Sequence, residues 1–193
     1  GLAGYLKKKG HAVTVVTPSD YPEFLHWMPG HKDVLALDRG NESVVAEKIN
    51  KDMVGKNPLL LAVLNGSFIF AADLIRNINI PCEISFVKLA SYQGTTSTGK
   101  IKEVIGLNED LAGRTIVIVE DIVDTGFTMK SMIESLGTRN PEAIHICTLL
   151  FKPGKLQVPL TIEYAAMEIP NDFIVGYGLD YDQQGRQLRD IYT

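Results

Sequence analysis

The chain has 193 residues, 45% of them hydrophobic, with a formal charge of −4 and a pI near 5.6. That length supports one well-buried core and is short for two ordinary domains. The acidic balance argues against a nucleic-acid binder that relies on a broad positive field, but it leaves open phosphate ligands held by backbone amides and a bridging metal. Cys82 and Cys147 lie in apolar runs without CxxC or Cys/His spacing, and they read as reduced core residues. No apolar stretch reaches membrane-spanning length, and the first residues lack the pattern of a signal peptide. A soluble, cytoplasmic protein bound to neither membrane nor nucleic acid is the expectation.

Taken in order, Ala12 to Val16 reads as a strand followed by a loop. Glu42 to Met53 reads as an amphipathic helix, with Val45, Ile49 and Met53 four residues apart. Leu59 to Leu64 is wholly apolar, as in a buried central strand. Asn65-Gly66-Ser67 breaks it, and Phe68 to Ile78 then reads as a helix. Cys82 to Ala90 alternates like a strand. Ser91 to Lys102 is rich in Ser, Thr, Gly and Lys and has almost nothing to bury, the composition of a loop. Thr115 to Val119 is the strongest buried-strand signal, with a helix starting near Thr128. Ala143 to Phe151 is another buried strand, and shorter strands follow around Ile162 to Met167 and Phe173 to Val175. Strands alternating with helices imply an α/β fold with a central, mainly parallel sheet.

Most of the chemical signal lies in Glu120-Asp121-Ile122-Val123-Asp124-Thr125-Gly126-Phe127-Thr128. Ligand crevices of open parallel sheets lie at the carboxyl ends of the strands, where this segment falls. Free amides at a helix start, with Gly126 allowing close approach, suit a phosphate; Thr125 and Thr128 add hydroxyl donors. Carboxylates nearby suit ribose hydroxyls. One or two acidic residues before an N-capping Thr are common surface chemistry. Three carboxylates plus Thr-Gly-x-Thr after a β-branched strand are far more specific. The histidines His11, His26, His31 and His145 show no metal-ligand spacing and receive no role.

Val117 to Thr128 resembles the phosphoribosyl pyrophosphate signature of the type I phosphoribosyltransferases. From about Val44 to Tyr192 the chain is similar to their hypoxanthine-guanine branch. Leu64-Asn65-Gly66-Ser67 stands at that branch's pyrophosphate loop, although Asn65 replaces the lysine often found there and Asn-Gly is also an ordinary turn dipeptide. Ser91-Tyr92 with Ser97-Thr98-Gly99 matches its flexible catalytic loop. Lys152 matches its purine-contacting lysine. Phe173-Ile174-Val175-Gly176-Tyr177-Gly178-Leu179-Asp180-Tyr181 matches its purine segment, and Arg186 its late pyrophosphate-contacting arginine. Periodicity alone does not separate core from base stacking for Phe173; the resemblance gives stacking. It also implies a small hood beside the main sheet.

The resemblance further implies the substrates, phosphoribosyl pyrophosphate and a 6-oxopurine, and a homodimer or homotetramer. Glu120 and Asp121 would hold ribose hydroxyls and Mg2+, with Asp180 serving a second Mg2+. Asp124 would handle the purine proton, and Thr125, Gly126, Phe127 and Thr128 would bind the 5′-phosphate. Gly66 and Ser67 could bind pyrophosphate through backbone amides whatever side chain precedes them. Residues 1–40 fit this family less well than residues 41–193. Leu6-Lys7-Lys8-Lys9-Gly10-His11-Ala12-Val13-Thr14-Val15-Val16-Thr17-Pro18-Ser19-Asp20, with Phe24 to Gly30, instead resembles an internal piece of a DHH-family phosphoesterase without its DHH motif. A non-catalytic regulator of the same fold and a phosphodiesterase therefore stand as rival functions. The lid-like segment and Lys152 argue against the first, and the missing motif against the second.

Overall fold

The computed structural model describes residue 9 and residues 15–17, 34–36, 41–91, 101–105 and 107–192. The elements are β1 (Val15–Thr17), β2 (Val34–Ala36), α1 (Asn41–Asp52), β3 (Leu59–Leu64), α2 (Phe68–Asn77), β4 (Glu83–Ser91) and β5 (Ile101–Ile105). They continue with β6 (Thr115–Val123), α3 (Phe127–Gly137), β7 (Ala143–Phe151), a 3-10 turn (Pro153–Lys155) and β8 (Tyr164–Glu168). The chain divides into two compact units, Glu42–Asn171 and a smaller one that combines Gly1–Asn41 with Asp172–Thr193.

The larger unit holds a six-stranded sheet of order β5-β4-β3-β6-β7-β8. All of its strand pairs are parallel except β4 with β5. After β3 the chain crosses to β4 on one side; the next parallel strand, β6, lies on the other side. The direction of winding therefore reverses between β3 and β6, and the carboxyl ends of these two neighbours splay open a crevice. Both strands are apolar on both faces because helices cover both. Leu59, Leu61, Ile116 and Ile118 share a cluster with Met129, Met132 and Leu136 of α3. Alternation turns Leu60, Ala62, Val117 and Val119 the other way, and they too are no more than 1% exposed. α2 packs against β3 and β6 and buries Phe70, Ala71 and Leu74. A side chain as large as Phe70 or Leu74 stabilises the fold by roughly 1.5–3 kcal/mol when removed from water. In α1, Val45 and Ile49 are buried, as is Met53 one residue past the helix end, in line with their spacing.

Three expectations need correction. The strand predicted over Thr115 to Val119 runs on to Val123, because Ile122 and Val123 still pair with Leu150 and Phe151 of β7. Ile101 and Lys102, read as loop, begin β5, an edge strand pairing Ser91 with Ile101; its sequence Ile-Lys-Glu-Val-Ile puts a charge on each face and so shows no clean alternation. Phe173 to Val175 forms no ladder, only the single bridge Val175–Tyr192. The chain there turns back on itself through the reciprocal pairs Gly176–Leu179 and Tyr181–Gln184, and Tyr177 adopts φ 51°. Both cysteines are free; Cys147 is core as expected, whereas Cys82 is only half-buried. No helix among the described residues is long and apolar enough to cross a membrane.

Candidate active site at the carboxyl ends of β3 and β6

Two helices begin beside the crevice, and neither is closed in the ordinary way. Ser67 stands at the cap position of α2, yet its hydroxyl donates back to the Val63 carbonyl at 2.7 Å. α3 starts after Gly126, in the left-handed region at φ 84°. Neither helix has a side-chain cap or an acidic residue in its first turn, whereas α1 carries Glu42 there. At the α2 start two amides already meet backbone, Ser67 N–H donating to the Val63 carbonyl and Phe68 N–H to the Asn65 carbonyl, both at 3.4 Å. Helix N-termini without a side-chain cap attract anions through their remaining amides and aligned dipoles. Gly126 fits this place sterically as well: a Cβ there would lie 2.8 Å from Leu156, Val158 and Leu160.

Between the two helix starts lie the carboxylates. Glu120 and Asp121 belong to the end of β6, so the strand pairing with β7 fixes their backbone. Glu120 is 9% exposed, and its Oε2 has no hydrogen-bond partner. Burial, then the neighbouring Asp121 charge, holds its carboxyl well above the usual carboxylate range. Asp121 Oδ1 accepts the Ile122 amide at 2.8 Å. Gly66 packs so tightly on this group that any Cβ would overlap the Asp121 carboxylate. The Leu64–Asn65 peptide is cis, and Asn65 itself is exposed. Gly66→Ala is therefore expected to displace Asp121. Affinity for a pyrophosphate-bearing substrate should fall about tenfold or more, with the sheet intact by circular dichroism. Unchanged affinity would mean that the two loops act independently.

Asp124 is half-buried. Its Oδ1 accepts the Thr125 amide, and its Oδ2 accepts Lys155 Nζ at 2.9 Å. Desolvation alone would raise its pKa, but the Lys155 hydrogen bond, the Thr125 amide and the Lys155 charge together bring it below the usual value. Lys152 follows β7 directly, donates its amide to the Val123 carbonyl at 2.9 Å and is only 5% exposed. A lysine this buried is unusual, and it is engaged within the protein. One end of the sheet thus brings together two helix starts without side-chain caps, a carboxylate pair with an orphaned oxygen, and a buried lysine.

The match to known proteins decides what this combination belongs to. Residues 39–182 match the model of the phosphoribosyl transferase domain. The hypoxanthine phosphoribosyltransferase of Haemophilus influenzae is 38% identical over 165 residues, covering 82% of this chain and 92% of that protein. The chain belongs to the hypoxanthine-guanine phosphoribosyltransferase family. The hypoxanthine-guanine phosphoribosyltransferase of Mycobacterium avium is 43% identical over 140 residues, covering 72% of this chain and 69% of its own. Among solved structures, the hypoxanthine phosphoribosyltransferase of Trypanosoma cruzi in complex with the product IMP superposes with a TM-score of 0.75. It is 38% identical and covers 79% of this chain and 87% of its own.

The remaining residues singled out by family resemblance belong to other elements, each described by its own surroundings. Ser91 ends β4, and Tyr92 with Ser97 to Gly99 lies outside the described residues. In the smaller unit, Phe173 is 62% exposed and meets the Tyr181 ring edge-on at 5.6 Å, while Ile174 is buried. Asp180 is engaged locally: Oδ1 pairs with Arg186 at 2.5 Å and Oδ2 accepts the Gln183 amide at 2.8 Å. Arg186 also donates to the Gly178 carbonyl at 2.7 Å. Sequence reading passed over Lys155. Its signal was a second lysine three residues after Lys152, across a Pro-Gly turn that returns the chain towards Asp124.

Proposed function

We propose that the chain transfers the phosphoribosyl group of phosphoribosyl pyrophosphate to hypoxanthine and to guanine, as in purine salvage. The bond from the anomeric carbon to pyrophosphate breaks, a bond to a purine ring nitrogen forms, and pyrophosphate leaves. The paired uncapped helix starts flanking Glu120 and Asp121 carry this reading, because a sugar with a phosphate at one end and pyrophosphate at the other needs two anion cradles with hydroxyl acceptors between them. The amides opening α3, with Thr125 and Thr128, hold the 5′-phosphate. Gly66 presents its backbone to the pyrophosphate, with Ser67 beside it sharing its amide with the Val63 carbonyl at 3.4 Å. Glu120 and Asp121 accept the ribose hydroxyls, and Asp124 takes the proton that the purine ring loses. Lys152 donates to the 6-oxygen of the base.

The same carboxylates fit Mg2+. Glu120 Oε2 is buried without a partner beside Asp121. Among the described residues no cluster of three or more His, Cys, Asp or Glu could form an all-protein site. Mg2+ is commonly held by one or two carboxylates plus substrate phosphates, which suits this pair. When bound, the ion neutralises charge on the departing pyrophosphate. The test is formation of IMP from hypoxanthine and phosphoribosyl pyrophosphate, with chelator and then with added Mg2+. Activity should vanish with chelator and return with the metal; full activity in chelator would remove Glu120 and Asp121 from metal binding.

A further inference from the structure

We infer that Lys155 is a positioning residue for the transfer reaction, holding the Asp124 carboxylate in the orientation from which it meets the purine. The inference rests on the proposed role of Asp124 and adds a residue that the family resemblance did not supply.

The geometry is specific. Asp124 follows the last residue of β6 and Lys155 closes the 3-10 turn after β7, so the pair joins two neighbouring strand ends. Thr125 N–H holds one carboxylate oxygen and Lys155 Nζ the other, at 2.9 Å, which fixes the plane of the group from both sides. Each carboxylate oxygen has two lone pairs, so a third donor can still approach. Lys155 is itself placed by its backbone: its amide donates to the Lys152 carbonyl at 3.0 Å, and the Gln157 amide donates to the Thr125 carbonyl at 3.0 Å. One short turn therefore ties the buried lysine proposed to read the base to the residue that orients the proposed acceptor.

Two effects oppose each other when Lys155 is removed. The carboxylate loses a cation and becomes more basic, which alone would help proton removal. It also loses its fixed plane, and proton transfer demands close alignment. The ion pair is partly solvated, with 43% and 42% of the two side chains exposed, so the gain in basicity is damped while the loss of orientation is not. Alignment should win. The groups facing Asp124 are Lys155 and the amide and hydroxyl of Thr125.

The test compares Lys155→Met, Lys155→Arg, Asp124→Asn and the Asp124→Asn/Lys155→Met double variant of the full chain in steady-state assays across pH. Lys155→Met should lower kcat about five- to tenfold, with KM for phosphoribosyl pyrophosphate changed less than about twofold. The acid limb of its pH profile should move upward, and Lys155→Arg should restore most of the rate. Adding Lys155→Met to Asp124→Asn should cost nothing more, since the two side chains act as one unit. If Lys155→Met leaves kcat and the acid limb unchanged while Asp124→Asn slows turnover, the positioning role is wrong and the proposed reaction stands. If Asp124→Asn itself has no effect, the role given to Asp124 fails and this inference falls with it. A thermally weakened Lys155→Met that Lys155→Arg rescues in stability but not in kcat would also overturn positioning.

Discussion

Asp124→Asn is expected to slow phosphoribosyl transfer roughly 100-fold or more while leaving phosphoribosyl pyrophosphate binding nearly intact. The amide keeps the shape of the carboxylate and can still accept the Thr125 N–H, but it cannot take a proton and no longer pairs with Lys155 as a charge. The sign of the pH dependence follows from the same contacts. Asp124 lies below the usual carboxylate pKa because of Lys155 and Thr125, so it stays ionised at neutral pH. Its contribution is lost only as pH falls through that lowered value. The acid limb of kcat/KM should therefore sit on the acidic side of a free aspartate and disappear in Asp124→Asn. Rapid-quench and binding measurements separate the two halves of the expectation. Unchanged turnover would take Asp124 out of the chemistry.

The second large effect concerns which purines are used. Lys152 is 5% exposed, and an ammonium offers donors only. Hypoxanthine and guanine present a 6-oxygen to it, whereas adenine presents an amino group, setting donor against donor. A buried donor set against a donor costs about 1–3 kcal/mol, more when charged, so adenine should be disfavoured at least about tenfold. Lys152→Met should erase most of that preference and weaken 6-oxopurine use much more than phosphoribosyl pyrophosphate binding. Turnover of adenine, hypoxanthine and guanine by both proteins is the measurement. Equal use of adenine and hypoxanthine by the wild type would refute this assignment of Lys152.

The parallel core reads directly from the sequence because its strands are apolar on both faces: Leu59 to Leu64 and Ala143 to Phe151 match β3 and β7 residue for residue. Helical spacing likewise marks α1 through Val45 and Ile49, with Met53 just past its end. The end of β6 is harder to read. Glu120 and Asp121 look like loop residues by composition, and only the partner strand β7 shows that the ladder continues beneath them. β5 escaped for the related reason that an edge strand with a charged residue on each face carries little burial signal. At the site, the closeness of Asn65 to Ser67 and Glu120 to Thr128 follows from the order of the strands: both segments end neighbouring parallel strands. Contacts between side chains distant in sequence do not follow from periodicity. The Asp124–Lys155 pair and the packing of Gly66 on Asp121 become visible only once the strand ends are set side by side.

On the proposed reading, a single crevice couples departure of pyrophosphate to capture of a purine. The most direct measurement follows IMP and pyrophosphate together after phosphoribosyl pyrophosphate, Mg2+ and hypoxanthine are mixed with the full chain, beside a control without hypoxanthine. The two products should form in equal amounts at every time, and the control should release almost no pyrophosphate. Pyrophosphate released at the same rate without hypoxanthine, or no IMP at all, would contradict the account.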